Sequence, residues 1–334
     1  MPAEPLFEVA RRTFGTPEFR GIECIEVEAK SVINRVPGGG LPFDWTINPY
    51  RGCTHACSYC FARPTHTFLD MNAGRDFETK IVVKVNAPHV LRRELAAARW
   101  RGERIAMGTG TDPYQRVEGR YRLMRGIVEA LIDARNPFSI LTKGTLILRD
   151  IDLLQRAAAH APVSAAFSIG TLDEQVWRET EPGTPHPKAR IEAVRTLTEA
   201  GIPTGVLMAP VLPGLSDEPQ QLRAVVEAAL EAGATHVSPI LLHLRPGVRE
   251  EFMPWLQEHH PDLVDRYRAL YPRSYASKGE RERLGRQVGS LVRAARRRWP
   301  GREGDGVPEA HRFRRGRRPG RQKPEPPAAQ PTLW

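Results

Sequence analysis

The amino-acid sequence predicts an α/β fold assembled from successive βα units with parallel strands. Three observations predict it. Short runs rich in β-branched and apolar residues alternate with longer amphipathic stretches between residues 44 and 244. Glycine, proline and threonine cluster where those runs end, as a turn from strand into helix requires. The chain, at 334 residues, is long enough to bury one large core and carry appendages.

Taken in order, residues 1–44 mix polar segments with Pro and Gly and read as an N-terminal extension; Pro37-Gly38-Gly39-Gly40, followed by Pro42, marks a hinge. Asp44–Tyr50 is the first strand, leading into a cysteine-rich loop, and Ile81–Val85 is an extra strand before a helix from Ala87 to about Arg99. Arg104–Gly110 is the next strand, with a helix beginning near Arg120; Phe138–Gly144 follows, with a helix from Asp150 to His160. Val163–Gly170 precedes a helix over Lys188–Ala200, and Pro203–Leu212 precedes one over Pro219–Gly233. Asp217 and Glu218 stand near the start of that helix, where negative charge is favourable. Thr235–Leu244 is the last clear strand; with Ile81–Val85 set aside the pattern holds six βα units within residues 45–254. Residues 255–300 carry two or three helices, including a basic one around Leu284–Trp299, and residues 301–334 are a basic Pro- and Arg-rich tail expected to be disordered.

Charge is unevenly spread along the chain. Of the net +10, the segment from Arg273 onward carries 17 Lys and Arg against 6 Asp and Glu, so it holds +11 and residues 1–272 hold −1. Such a tail suits contact with nucleic acid or is a solvated end. The N-terminal residues show no apolar run of a signal peptide, and no stretch approaches bilayer length, so a soluble cytoplasmic protein without membrane contact is expected.

The chemistry concentrates in Asn48–Arg63, NPYRGCTHACSYCFAR, which holds three of the four cysteines, Cys53, Cys57 and Cys60, spaced C-x3-C-x2-C. Three thiolates in one loop repel unless a metal offsets them, and soft sulfur donors point to an iron–sulfur cluster or to zinc. A Cys3His zinc site completed by His66 is a reasonable alternative. A disulfide framework is not indicated by three clustered thiols and one distant one, and Cys24 reads as a buried thiol.

With Tyr59 just before the last cysteine, this loop resembles the radical S-adenosylmethionine signature, and more narrowly the spore photoproduct lyase-like branch, also described as DNA repair photolyase-like. GTGTDPYQ (108–115), LTKG (141–144), FSIGT (167–171) and EPGTPHPKARIEAV (181–194) carry the same resemblance over about residues 45–245. It implies an open, partial (β/α)6 TIM-like barrel with its site at the C-terminal ends of the strands. It implies a [4Fe–4S] cluster on Cys53, Cys57 and Cys60, with one iron left open for S-adenosylmethionine. A flavodoxin- or ferredoxin-type electron donor, cleavage to a 5′-deoxyadenosyl radical and hydrogen abstraction from a nucleic-acid or nucleobase-type substrate follow from it.

Carried over residue by residue, the resemblance puts Tyr59 near the adenine, although an ordinary packed aromatic is the other reading. Thr111 takes the place of a serine that holds the methionine end. Asp112 either binds the ammonium group or caps the following turn. Lys143 ends an otherwise apolar strand and needs an anionic partner, for which the S-adenosylmethionine carboxylate is suited. Ser168 stands equivalently on the next strand; Arg190 reaches the same carboxylate or pairs on its helix; Met208 and Ala209 offer backbone to the adenine.

Two departures matter. The lyase has a cysteine hydrogen donor where this chain has Thr109, and a tyrosine where it has Phe61 after the last cysteine. A hydroxyl O–H bond is too strong to quench a carbon radical quickly, so lyase-type repair is not expected at residue 109. Action on a peptide or small metabolite, and a zinc-stabilised nucleic-acid-binding module without catalysis, are the alternatives. Finally, Gln330, Leu333 and Trp334 form a Q-x-x-L-aromatic terminus resembling the peptide by which repair proteins bind the sliding clamp, with Pro331 a departure from it.

Overall fold

The larger of two sheets holds six parallel strands: β1 (Trp45–Ile47), β2 (Ile105–Met107), β3 (Phe138–Thr142), β4 (Val163–Ser168), β5 (Thr204–Val211) and β6 (Val237–Leu241). They lie side by side in chain order, with Ile33–Arg35 added antiparallel outside β1. The computed structural model describes residues 10–36, 41 and 43–298. The glycine hinge at 37–40 with Pro42, the tail 301–334 and the terminal Gln330–Trp334 peptide lie outside the described residues. β1 and β6 do not pair, so the six units form the open partial barrel that the sequence led us to expect.

Each crossover helix covers the sheet with one apolar face. Leu123–Asp133 buries Leu123, Met124, Ile127, Val128 and Leu131, the i, i+4 and i+8 spacing of one helical side. Each such side chain contributes about 1.5–3 kcal/mol through burial. Inside, strands buried on both faces read as apolar runs, as at Ile105, Ala106 and Met107. Asp217 and Glu218 stand just before the helix Pro219–Glu231, as expected, and Asp217 also closes the preceding turn, accepting from Gly214 N at 2.6 Å and pairing with Arg266 at 3.0 Å.

A second, four-stranded sheet takes up the N-terminal segment. Ala10–Thr13, Glu23–Val27, Lys80–Lys84 and Tyr50–Arg51 pair in that order, so the extra strand finds its partner outside the barrel. The expected boundary at residue 45 thus falls between paired strands, Ile33–Arg35 and β1. Cys24 is fully buried in this sheet, where burial pushes its thiol up to about 11.

Three helices follow the barrel: Arg249–His259, Val264–Leu270 and Lys278–Arg298. The last is the basic helix; it starts before Leu284 and packs Leu284, Val288 and Ala295 against β6 and the helix Pro219–Glu231, covering the exposed sheet edge. An additional helix, Glu174–Thr180, escaped the sequence pattern; the Asp173 carboxylate caps it by accepting from Val176 N at 2.9 Å. No helix among the described residues is long and apolar enough to cross a membrane.

Candidate active site

The cysteine loop leaves the C-terminal end of β1 and is fastened at each step. Asn48 Oδ1 accepts from Gly110 N at 3.1 Å, tying the end of β1 to the loop after β2. Cys53 N donates to Phe77 O at 2.9 Å. On either side of Cys53 the loop is held by Gln115, a fully buried side chain whose Nε2 donates to Gly52 O at 3.0 Å and whose Oε1 accepts from Thr54 N at 2.9 Å. Thr111 Oγ1 adds a second bond to Gly52 O at 2.7 Å and accepts from Gln115 Nε2 at 2.9 Å. Beyond Cys57, the buried Arg63 guanidinium donates to Cys57 O from Nε and Nη2, to Ala73 O and Gly74 O, and pairs with Glu78. Neither Gln115 nor Arg63 was legible as a site residue in sequence.

Cys53 and Cys57 are buried and Cys60 half-buried, with no disulfide among them. Burial pushes all three thiols up, Cys57 to about 12, and on Cys53 the charges of Asp112, Cys60 and Cys57 add to it. Thiols in such a position become thiolates only against a strong positive charge. Among the described residues no three or more His, Cys, Asp and Glu side chains are placed to hold a single metal ion. His66 Nε2 bonds Lys80 O at 2.9 Å and its ring packs edge-on against Phe77, while its Nδ1 is buried without a hydrogen-bond partner. Three soft sulfurs without a fourth protein ligand fit a cluster that takes three thiolates.

The ends of β3 and β4 meet this loop in a charged cleft. Lys143 Nζ donates to Ser168 Oγ at 2.8 Å, lies 4.0 Å from Glu181 Oε1 and sits 5.6 Å from the Tyr59 ring centre. Its charge also opposes the rise of the Cys57 and Cys60 thiols. Ser168 Oγ passes the chain on to Ala209 O at 2.7 Å, so β3, β4 and β5 are linked at their C-terminal ends. Glu181 bonds the Tyr59 hydroxyl and pairs with Arg190 Nη2 at 2.6 Å. Although burial opposes ionisation, the Arg190 and Lys143 charges and the Tyr59 hydroxyl hold the Glu181 carboxyl below its usual range. Arg190 Nη1 donates to Ser168 O at 2.8 Å, while its Nε is buried without a partner.

Arg190 therefore pairs, but with a carboxylate six residues before its helix Pro187–Glu199 rather than along it. Glu181, which carries this network, lies inside a motif the sequence singled out, yet its role is set by Tyr59, 122 positions away. The same motif explains its glycine: a Cβ at Gly183 would lie 2.1 Å from Thr54 O, so the loop approaches the cysteine loop backbone to backbone. Ser58 N bonds Thr180 O there at 3.0 Å.

Asp112 makes the contacts that its capping reading calls for. Its carboxylate accepts from Tyr114 N at 2.9 Å, Thr142 Oγ1 at 2.6 Å and Lys143 N at 2.6 Å, with His55 Nδ1 at 3.3 Å. Burial opposes its ionisation, but His55 and these bonds hold it below the ordinary carboxylate range. Thr111 likewise faces Gly52 and Gln115, and Gly108, at φ +89°, has its Cα against Leu141 O, where a Cβ would lie at 1.8 Å. The GTGTDPYQ motif thus locks the loops after β1, β2 and β3 together. Thr109, half-buried at the end of β2, has no side-chain hydrogen bond among the described residues, and Ala209 is half-buried at the end of β5.

With this geometry in place, the comparisons with known proteins are specific. An uncharacterised protein of Mycobacterium tuberculosis is 49% identical over 283 residues, covering 84% of this chain and 83% of its own length. The radical SAM Nα-GlyT isomerase of Pseudomonas phage M6 is 27% identical over 194 residues, covering 57% of this chain and 37% of that protein. Among solved structures, spore photoproduct lyase complexed with dinucleoside spore photoproduct shares the fold, with a TM-score of 0.60 at 15% identity over 85% of this chain and 83% of that one. Residues 47–236, from the end of β1 almost to β6, match the Radical SAM superfamily, and the chain is a radical SAM enzyme belonging to that superfamily.

Proposed function

We propose that Cys53, Cys57 and Cys60 hold a [4Fe–4S] cluster and that S-adenosylmethionine lies in the cleft at the ends of β3, β4 and β5. Membership of the superfamily implies both groups. When bound, they supply a 5′-deoxyadenosyl radical that abstracts hydrogen from the substrate. The observation that carries this assignment is Lys143: an ammonium with one short bond, to Ser168 Oγ, beside the thiols of the cysteine loop.

In this reading Lys143 takes the carboxylate of S-adenosylmethionine, Ser168 orients it, and the Ala209 backbone and Tyr59 flank the adenosyl part. Glu181 and Arg190 fix Tyr59 and the end of β4 from behind, while Thr111, Asp112 and Gln115 hold the loops in register. Thr109 lies at the mouth without a thiol, so hydrogen returns to the product from a group other than residue 109.

For the substrate we propose a nucleic acid or nucleobase-containing molecule, in DNA repair or modification. The shared fold with a lyase solved with a dinucleoside supports this class. A flavodoxin- or ferredoxin-type donor in the cytoplasm would supply the electron, and Gln330–Trp334 would engage a sliding clamp.

Anaerobic reconstitution followed by assay for 5′-deoxyadenosine tests the reading. Dithionite-dependent formation, stimulated by oligonucleotides and not by peptides, is expected. No 5′-deoxyadenosine from protein with a full complement of iron and sulfide would refute the radical chemistry, and stimulation by peptides alone would refute the substrate class.

A further inference from the structure

Resting on the nucleic-acid reading just given, we infer that the folded domain carries its own nucleic-acid contact, centred on Tyr275 at the rim of the barrel mouth and separate from the basic tail. Tyr275 is 40% exposed, while the other tyrosines among the described residues are buried or half-buried. It is held upright by a bridge to His243, whose ring packs edge-on at 4.7 Å, and by Arg245 Nε, which donates to its hydroxyl at 2.7 Å.

One exposed guanidinium, Arg245, contacts it, and two more, Arg273 and Arg281, lie on the flanking segment. Arg245 lies 5.4 Å from the Tyr275 ring centre, Arg273 is two residues away in sequence, and Arg281 is close enough, with Arg245, to lower the His243 pKa further after burial has done so. Among the described residues none of the three pairs with a carboxylate. Neighbouring acids are engaged elsewhere: Glu280 pairs with Arg283 at 2.8 Å, Glu282 with Lys278 at 3.6 Å, and Glu250 accepts from Gly247 N at 2.5 Å. Glu250 keeps its charge beside Arg249 and Arg273, so the patch is compensated in part and stays net positive through Arg245, Arg273 and Arg281.

Its position relates it to the cleft. His243 and Arg245 follow the C-terminal end of β6, the end at which Lys143 and Ser168 finish their strands. Gly247, at φ +80°, abuts Pro64, with the ring carbon 2.4 Å from where a Cβ would lie; the segment after the cysteine loop thus reaches across the open side of the barrel to this rim. Phe61 and Phe68, 55% and 74% exposed, lie on that segment. Guanidiniums that neutralise phosphates beside an aromatic face that stacks a base is the combination that binds a single strand. A strand held on Tyr275 would pass the cluster loop.

The test measures binding of a fluorescein-labelled 15-nucleotide single strand to the full-length, cluster-loaded protein by anisotropy across a salt titration. Arg273→Ala with Arg281→Ala removes side chains without ion-pair partners, so the fold is untouched; iron content and thermal melting verify this. The double variant is expected to bind on the order of tenfold more weakly at about 0.1 M salt, with the salt slope flattened by about 1.4. Tyr275→Leu is expected to weaken binding about fivefold to a hundredfold without changing the slope, because no charge is lost. Unchanged affinity and slope in the double variant, with wild-type protein binding the strand, would overturn the patch and leave the substrate class standing. Wild-type protein that binds no nucleic acid would overturn the substrate class and the patch together. Intact strand binding with loss of reduction by an acidic flavodoxin would overturn it in favour of a protein partner.

Discussion

Two buried polar networks of this molecule, built from the same residue types, differ in one respect that separates scaffold from site. The first joins the barrel to the second sheet: Glu118 binds Tyr50, Met124 N and Arg149, and Arg149 continues to Asp150, which also takes Arg125 and Tyr114. Arg125 ends on Asp152 at 2.9 Å. Every charge there has an opposite charge in direct contact. The second network, at the cleft, links Lys143, Ser168, Glu181, Tyr59 and Arg190, and it is incomplete. Lys143 has its nearest carboxylate only at 4.0 Å, and Arg190 Nε has no acceptor. A closed network rigidifies, whereas one with donors left over is prepared for an anionic ligand.

Removing the proposed cluster ligands would break the comparison most completely. Cys53→Ala, Cys57→Ala and Cys60→Ala should each reduce iron and sulfide after reconstitution to background, because three thiolates are the minimum the cluster has here. Cys24→Ala, in the second sheet, should retain both. Iron loss from Cys24→Ala would show that the ligand set has been misassigned.

Next in size is the closed network. Asp150→Asn strips the shared partner of Arg149 and Arg125 and should cost about 3–5 kcal/mol in denaturant unfolding, as breaking a buried ion pair does. Lys143→Ala should cost less than about 1 kcal/mol by the same measurement, since Arg190 still faces Glu181. Equal losses would erase the distinction drawn between the networks.

Smaller again is the loop clamp. Gln115→Leu leaves Thr54 N–H without a side-chain partner and Gly52 C=O with Thr111 Oγ1 alone, a cost of about 1–3 kcal/mol confined to the turn around Cys53. The visible absorbance of the reconstituted protein should bleach faster in air, while a Gln115→Glu variant, which keeps the acceptor for Thr54 N, should fall between. Wild-type bleaching rates in Gln115→Leu would show that Gly52 and Thr54 hold Cys53 unaided.

What sequence could and could not show follows from distance along the chain. The six strands and the cysteine loop are local patterns, and Lys143 and Ser168 were recognisable because each ends an apolar strand. Gln115 and Glu181 were not, since one acts on residues more than 60 positions away and the other on Tyr59. Asp112 was ambiguous because a cap and a ligand contact use the same carboxylate; only the nearness of Thr142 and Lys143 N separates them. The strands at Ala10–Thr13 and Ile33–Arg35 are four and three residues long, too short for any period to register, and exist through pairing with Glu23–Val27 and β1.

The central claim is that the cleft network is open toward S-adenosylmethionine through Lys143. Calorimetric titration of S-adenosylmethionine into cluster-loaded wild-type and Lys143→Ala protein measures it directly. Loss of a charge-assisted bond worth roughly 1.5–3 kcal/mol should weaken binding about ten- to a hundredfold with iron content unchanged. Equal affinity in the two proteins would contradict the account.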